Sequence, residues 1–271
     1  MKTVAADIVL IHGLWVSHAA WQPWIDYFAA NGYRAIAPRW PGEAESVTAT
    51  RNNPDAQAGF GLDQLTDHFA AVIERFSSPP VVIGHSLGGL IAQLLLGQNK
   101  VAAAVAINPA PMKGVWALPV AQLKSAFPVV GNPLNWSRAK GLTREQFRYG
   151  FGNTLTEAES DALWEQWSIP SPGKPLFEVE TANFNSNSPA KVDTANAWRG
   201  PLLITGGTAD HTVPLATARA AFEQYSKSSA VTDFHEFEGA GHSLTIDHRW
   251  REVADVTHCW LRDIGFVGVH P

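Results

Sequence analysis

A chain of 271 residues is long enough for one α/β domain with a large buried core and one excursion from it. Its formal net charge of −5, from 20 Lys and Arg against 25 Asp and Glu, comes without a basic cluster or stripe, which argues against nucleic acid or an anionic membrane as partner and for a small-molecule substrate. The single cysteine, Cys259, excludes an intramolecular disulfide framework and every multi-cysteine metal site, and is expected to pack as a small apolar residue inside the last helix.

Taken in chain order, the acid at Asp7 interrupts any signal-like apolar stretch, and no apolar run approaches a membrane span, so a soluble cytoplasmic protein is expected. Residues 8–11 read as a strand, followed by His12-Gly13-Leu14-Trp15, where Gly13 lets the backbone approach a site closely. A helix over 19–30 closes on Asn31-Gly32, a second strand covers 34–37, and a helix covers 62–76.

The next strand, 81–83, runs directly into Gly84-His85-Ser86-Leu87-Gly88-Gly89 and a helix over 87–98 that ends at Asn99. A strand that turns at once into a helix must bend sharply, which holds Ser86 in a strained conformation with its hydroxyl pushed into a cleft. Gly84 and Gly88 are required because a side chain at either place would collide with the neighbouring strand or helix. His85 is read as packed beside the serine.

A strand over 102–107 ends at Asn108-Pro109, and the regular alternation resumes only at Gly200-Pro201. The intervening stretch, 109–199, is too long for a structureless loop and is read as a helical cap on a core made of 1–108 and 200–271. Thr143-Arg144-Glu145-Gln146 and Thr156-Glu157-Ala158-Glu159 are both capping-box patterns, so at least two helices start there. The cap carries Trp116, Trp136, Trp164, Trp167 and Trp198 together with Phe127, Phe147, Phe151, Phe177 and Phe184, which are expected chiefly to glue it to the core, a few of them lining an apolar pocket.

Strand 202–205 leads through Gly206-Gly207-Thr208-Ala209 to Asp210, a helix follows over 215–225, and strand 231–237 leads to Gly239-Ala240-Gly241-His242-Ser243 before the last helix, 250–264. Strands alternating with helices define an α/β protein with a mostly parallel sheet covered on both faces.

A serine hydroxyl needs a base to take its proton, and an imidazole held in the right tautomer by a carboxylate can act as one. His242 is the best placed of the ten histidines, and Asp210 sits where it can meet His242. Asp247 is too near His242 in the chain to orient it, and the position corresponding to Asp210 on the preceding strand is Asn108. The oxyanion of a tetrahedral intermediate requires two N–H donors. Leu87, at the start of its helix, supplies one; Leu14 is assigned as the other, with Trp15 as the alternate and as a border of the acyl pocket. His211 and Asp247-His248 lack a metal-ligand spacing, so no metal and no cofactor is expected. His12 is expected to stabilise its own loop by hydrogen bonding.

These motifs together resemble the α/β-hydrolase superfamily, and are most similar to its branch with a short His-Gly oxyanion loop and a helical cap, which includes small esterases, cofactor-free perhydrolases and C–C bond hydrolases. The resemblance implies ester hydrolysis through the chain order Ser86, Asp210, His242. Dehalogenases and epoxide hydrolases of this fold carry an aspartate where Ser86 stands, perhydrolases often a proline where Trp15 stands, and hydroxynitrile lyases a threonine where Gly13 stands. Perhydrolysis, C–C cleavage, or ligand binding on a hydrolase scaffold are the alternatives, and no oligomeric state is implied.

Overall fold

The computed structural model describes residues 4–117 and 119–268. Residues 1–3, 118 and 269–271, which fall within the segments expected above, lie outside the described residues. Six strands form an all-parallel sheet: β1 (Ile8–Ile11), β2 (Ala35–Ile36), β3 (Val81–His85), β4 (Ala103–Ile107), β5 (Leu202–Gly207) and β6 (Thr232–Phe237), in the spatial order β2-β1-β3-β4-β5-β6. Parallel strands have to be covered on both faces, and the sequence shows it as unbroken apolar runs. In β1, Val9 and Ile11 enter one core with Leu65, Phe69 and Leu90, while Ile8 and Leu10 enter the other with Trp24, Phe28 and Leu261.

Helices α1 (Gln22–Ala30), α2 (Val47–Asn52), α3 (Leu62–Ile73) and α4 (Leu87–Gly97) precede β4. Segment 109–201 then contributes α5 (Val120–Val130), α6 (Arg144–Gly150), α7 (Glu157–Trp167) and α8 (Lys174–Glu180), and the chain ends with α9 (Leu215–Glu223) and α10 (Trp250–Asp263). Helix α4 is buried along its whole length, and its glycines are what let it lie against the sheet. A Cβ on Gly84 would stand 2.0 Å from Gly88 O, and one on Gly88 would stand 2.2 Å from Ile11 O. Both obstacles are backbone and cannot swing aside. Gly88→Ala is therefore expected to cost more than about 3 kcal/mol by overpacking, seen as a large fall in melting temperature and in soluble yield.

The elements differ from the sequence reading in a few places, each with a local cause. Residues 18–21 form a 3-10 turn and α1 begins at Gln22, since Pro23 has no N–H to donate and is confined to the first turn. Thr143 makes the full capping box with Gln146. Thr156 accepts from Glu159 N, but the Glu159 carboxylate turns away to accept from His248 Nδ1 at 2.7 Å. Helix α5 carries an internal Pro128 and exposes Val120, Leu123 and Phe127, which is why no helical pattern marks it in the sequence.

Two expectations are corrected. Cys259 is exposed, because the buried stripe of α10 runs through Val253, Ala254, Thr257 and Leu261 and Cys259 lies on the opposite side. Only half of the aromatic residues singled out in 109–199 are glue: Phe147 and Phe151 are fully buried and Trp164, Trp167 and Phe177 pack partly buried against the core, while Trp116, Trp136, Trp198, Phe127 and Phe184 face solvent. No helix among the described residues is long and apolar enough to cross a membrane.

Candidate active site

The parallel register brings the ends of five strands to one edge. Ile11 pairs with Gly84, His85 with Ile107, Ile107 with Thr205, and Gly207 with Phe237. Leu14, Ser86, Asn108, Asp210 and His242 all lie in the loops just beyond these pairs, at the carboxyl edge where open α/β sheets place their ligands. Ser86 sits between β3 and α4 with φ 57° and ψ −120°, a positive φ that a side-chain-bearing residue rarely adopts and that costs of order 1–3 kcal/mol. Gly13 approaches so closely that a Cβ there would stand 2.6 Å from Ser86 Cβ.

His242 and Asp210 meet. His242 Nδ1 donates to Asp210 Oδ2 at 2.6 Å, and both side chains are fully buried. Asp210 Oδ2 also accepts from Asn108 Nδ2 at 2.5 Å, while Oδ1 accepts from the backbone N–H groups of Thr212 and Val213 at 2.7 and 2.8 Å. Four donors thus converge on one carboxylate. The other ring nitrogen, His242 Nε2, is buried and has no hydrogen-bond partner among the described residues. The loop bearing it is tied down by Ser243 Oγ donating to Asp247 Oδ2 at 2.6 Å and Trp24 Nε1 donating to Thr245 O at 2.9 Å. Asp247 thus secures the loop while Asp210 holds the ring.

His85 packs against His242 with ring centroids 4.6 Å apart, and Phe151 meets the same ring edge-on at 4.8 Å. Burial first, with His242 and His12 adding to it, pushes the His85 imidazole well below its ordinary pKa. It therefore stays uncharged beside the serine. His211 Nδ1 is bonded to Tyr149 O, and His248 to Glu159.

Leu14, Trp15, Ser86 and Leu87 line one cavity, which Gln122 and Glu180 of the 109–201 segment close. Leu87 opens α4, so its N–H has no acceptor within the helix. Trp15, the alternate oxyanion donor, is committed elsewhere: its backbone N–H donates to Ser171 Oγ at 2.7 Å and its indole N–H to Lys140 O at 3.1 Å. Its φ is positive, 67°, and the backbone N–H of Leu14, the residue assigned from the sequence as the donor of this loop, has no hydrogen-bond partner among the described residues.

The sequence reading missed the partner that holds this loop. Glu43, with no side-chain exposure, faces His12 Nε2 at 3.0 Å and His18 Nδ1 at 2.8 Å, and accepts from Ser17 Oγ at 2.9 Å. His12 Nδ1 reaches Gly13 O at 2.8 Å. Both ring nitrogens of His12 thus face oxygen atoms, and the ring stacks on Trp40 at 4.7 Å. The Gly13 carbonyl is pinned to His12, which fixes the direction of the next peptide N–H, that of Leu14.

Burial pushes the Glu43 carboxyl up, but His12 and His18 outweigh it and hold it well below its ordinary 4.5. A carboxylate with a depressed folded pKa contributes stability that is present above the unfolded value and lost as pH falls below it. Glu43→Gln is expected to cost about 3 kcal/mol at neutral pH, the lower end for breaking a buried pair. Urea unfolding at stepped pH should also show a weaker loss of stability below pH 4.5 in the variant than in the wild type.

A positive-φ serine thus follows β3 of an all-parallel six-stranded sheet, with the Asp210–His242 pair on the loops after β5 and β6, which defines an α/β architecture with a strand–serine–helix turn at the carboxyl edge of its sheet. The chain belongs to the alpha/beta hydrolase family, whose model matches residues 8–256. It is similar to human Protein ABHD8, 33% identical over 90 residues, which are 32% of this chain and 19% of that one. The chain thus spans only about a fifth of that relative's length. Among solved structures it shares its fold with a monoacylglycerol lipase of Paleococcus ferrophilus, at 23% identity and TM-score 0.67 over 97% of this chain and 100% of that one. It also shares it with a pyrethroid hydrolase of Sphingobium faniae JZ-2, at 18% identity and TM-score 0.65 over 96% and 98%.

Proposed function

We propose that this protein is a serine hydrolase that cleaves an ester-type bond of a small hydrophobic substrate. The observation that carries the reading is the Asp210–His242 hydrogen bond at 2.6 Å, which leaves His242 Nε2 buried and unpartnered while its ring packs on His85, the residue before Ser86. A base so oriented can take the Ser86 proton as Oγ attacks the carbonyl carbon. The carbonyl oxygen, now negative, is stabilised by the N–H groups of Leu14 and Leu87. His242 returns the proton to the departing alcohol, and a water activated in the same way releases the acid from Ser86. The route uses only these groups and water. The names of the solved neighbours above, a lipase and a pyrethroid hydrolase, are in keeping with it.

In this reading residues 109–199 act as a cap, and Trp15 borders the acyl side of the cavity. The cavity is narrow, with a volume of about 30 Å³. Treatment with a fluorophosphonate probe followed by peptide mass spectrometry, alongside p-nitrophenyl esters of increasing chain length, tests the proposal. An adduct on Ser86 with turnover upholds it; a folded protein with neither overturns it.

A further inference from the structure

The cavity that holds Ser86 has one ionisable side chain on its wall besides the proposed catalytic groups: Glu180, the last residue of α8. Beside it is Gln122 of α5, only 2% exposed. Gln122 Oε1 accepts from Thr217 Oγ1 at 3.0 Å, while its Nε2 reaches Glu180 Oε1 at 3.5 Å, beyond ordinary hydrogen-bond length. That long contact is the sole side-chain hydrogen bond to the Glu180 carboxylate among the described residues, and no Lys, Arg or His lies among the residues lining the cavity.

Burial, offset only in part by Gln122, raises the Glu180 carboxyl above its ordinary value. A half-buried acid on a cavity wall without a well-placed donor is a cost to the free protein, and a wholly apolar ligand would deepen it by excluding solvent. The hydrolytic route has no use for this group, since Asp210 already orients His242. A donor on the substrate would satisfy both the carboxylate and the geometry.

Building on the serine-hydrolase reading, we propose that Glu180 and Gln122 form a subsite for a hydrogen-bond-donating group of the substrate, an ammonium or a hydroxyl. The substrate is then an amphipathic ester: apolar against Leu14, Trp15, Leu176 and Val179, with a donor directed at the cap side of the cavity.

Three p-nitrophenyl esters of equal chain length, ending in a methyl, a hydroxyl or a primary amine, separate this from general apolar binding. They are compared on the wild type, Glu180→Gln and Glu180→Leu, and read as the ratio of kcat/KM for each donor ester to that for the methyl ester on the same protein. The ratio is expected to exceed one in the wild type and to fall roughly ten- to a hundredfold in Glu180→Leu, mostly through KM, with a smaller fall in Glu180→Gln. A larger fall for the amine identifies an ammonium site, and equal falls identify a hydroxyl site. A ratio unchanged across all three proteins overturns the subsite while leaving the hydrolase reading intact. Should Glu180→Leu not fold, the ratio in Glu180→Gln decides.

If Ser86 neither labels nor turns over any ester, the hydrolase reading fails separately. Thermal stabilisation by the corresponding methyl ketones then decides the subsite. Stabilisation that needs the donor and weakens in Glu180→Gln upholds it, and stabilisation indifferent to the donor overturns it.

Discussion

Ser86→Ala is expected to reduce ester turnover by about 10⁵- to 10⁶-fold, the loss seen when the nucleophile of such a concerted site is removed. The substitution takes away one hydroxyl and leaves the Cβ, the positive φ and the Gly84 and Gly88 contacts as they are. Stability should therefore change by less than about 1 kcal/mol, and circular dichroism and the urea midpoint should overlay those of the wild type. Stopped-flow and long-time p-nitrophenyl ester assays on the same preparation provide the measurement. Activity retained within tenfold would mean that the hydroxyl of Ser86 is not the attacking group. A collapse of stability with the activity would show that the serine was holding the turn instead.

The residues that could be read from the chain are those whose chemistry is announced locally. Ser86 is flanked by glycines that the turn requires, Asp210 by Gly206 and Gly207 at the end of a strand, and His242 by Gly239 and Gly241, so each is marked by its immediate neighbours. The sheet was legible for a similar reason, because strands covered on both faces leave unbroken apolar runs such as those of β1 and β3.

The partners of those residues carry no such mark. Asn108 reaches Asp210 across 102 positions and Glu43 reaches His12 across 31. Nothing near either one distinguishes it from a turn residue or a surface acid. In the sequence Asn108 marks only a strand end without an acid, yet its amide fills the place beside Asp210 that a second carboxylate would make repulsive. Glu43 follows Gly42, whose φ of 79° turns the chain inward and takes the acid with it, at a place where a Cβ would stand 2.0 Å from Ala56 O. The exposed aromatic residues of segment 109–199 misled in the opposite direction. Large apolar side chains are usually buried, but Trp198 is 92% exposed and Phe184 79%. Composition reports how much apolar surface a segment owns, and only packing decides which side of it faces inward.

Asp210→Asn is the sharpest test of how the site is oriented, with an expected loss of about 10⁴-fold in kcat. The carboxylate accepts from His242 and Asn108 on one oxygen and from the Thr212 and Val213 N–H groups on the other. An amide has one oxygen and one NH₂, so in either orientation its NH₂ faces two donors. The backbone pair is fixed by the turn, which sends the NH₂ toward His242 Nδ1 and forces that nitrogen to become the acceptor. The proton then resides on Nε2, the atom that accepts from Ser86 in the proposed route, and the proposed base would be disabled although every side chain keeps its place. Stability should also fall, since Asn108 Nδ2 loses its acceptor in the buried site. Asn108→Leu separates the two effects. It leaves the carboxylate and the His242 tautomer untouched, so its loss in kcat should be on the order of tenfold, in line with one neutral hydrogen bond. If Asn108→Leu were as damaging as Asp210→Asn, the carboxylate would be acting through its place in the fold, and His242 would not owe its tautomer to Asp210.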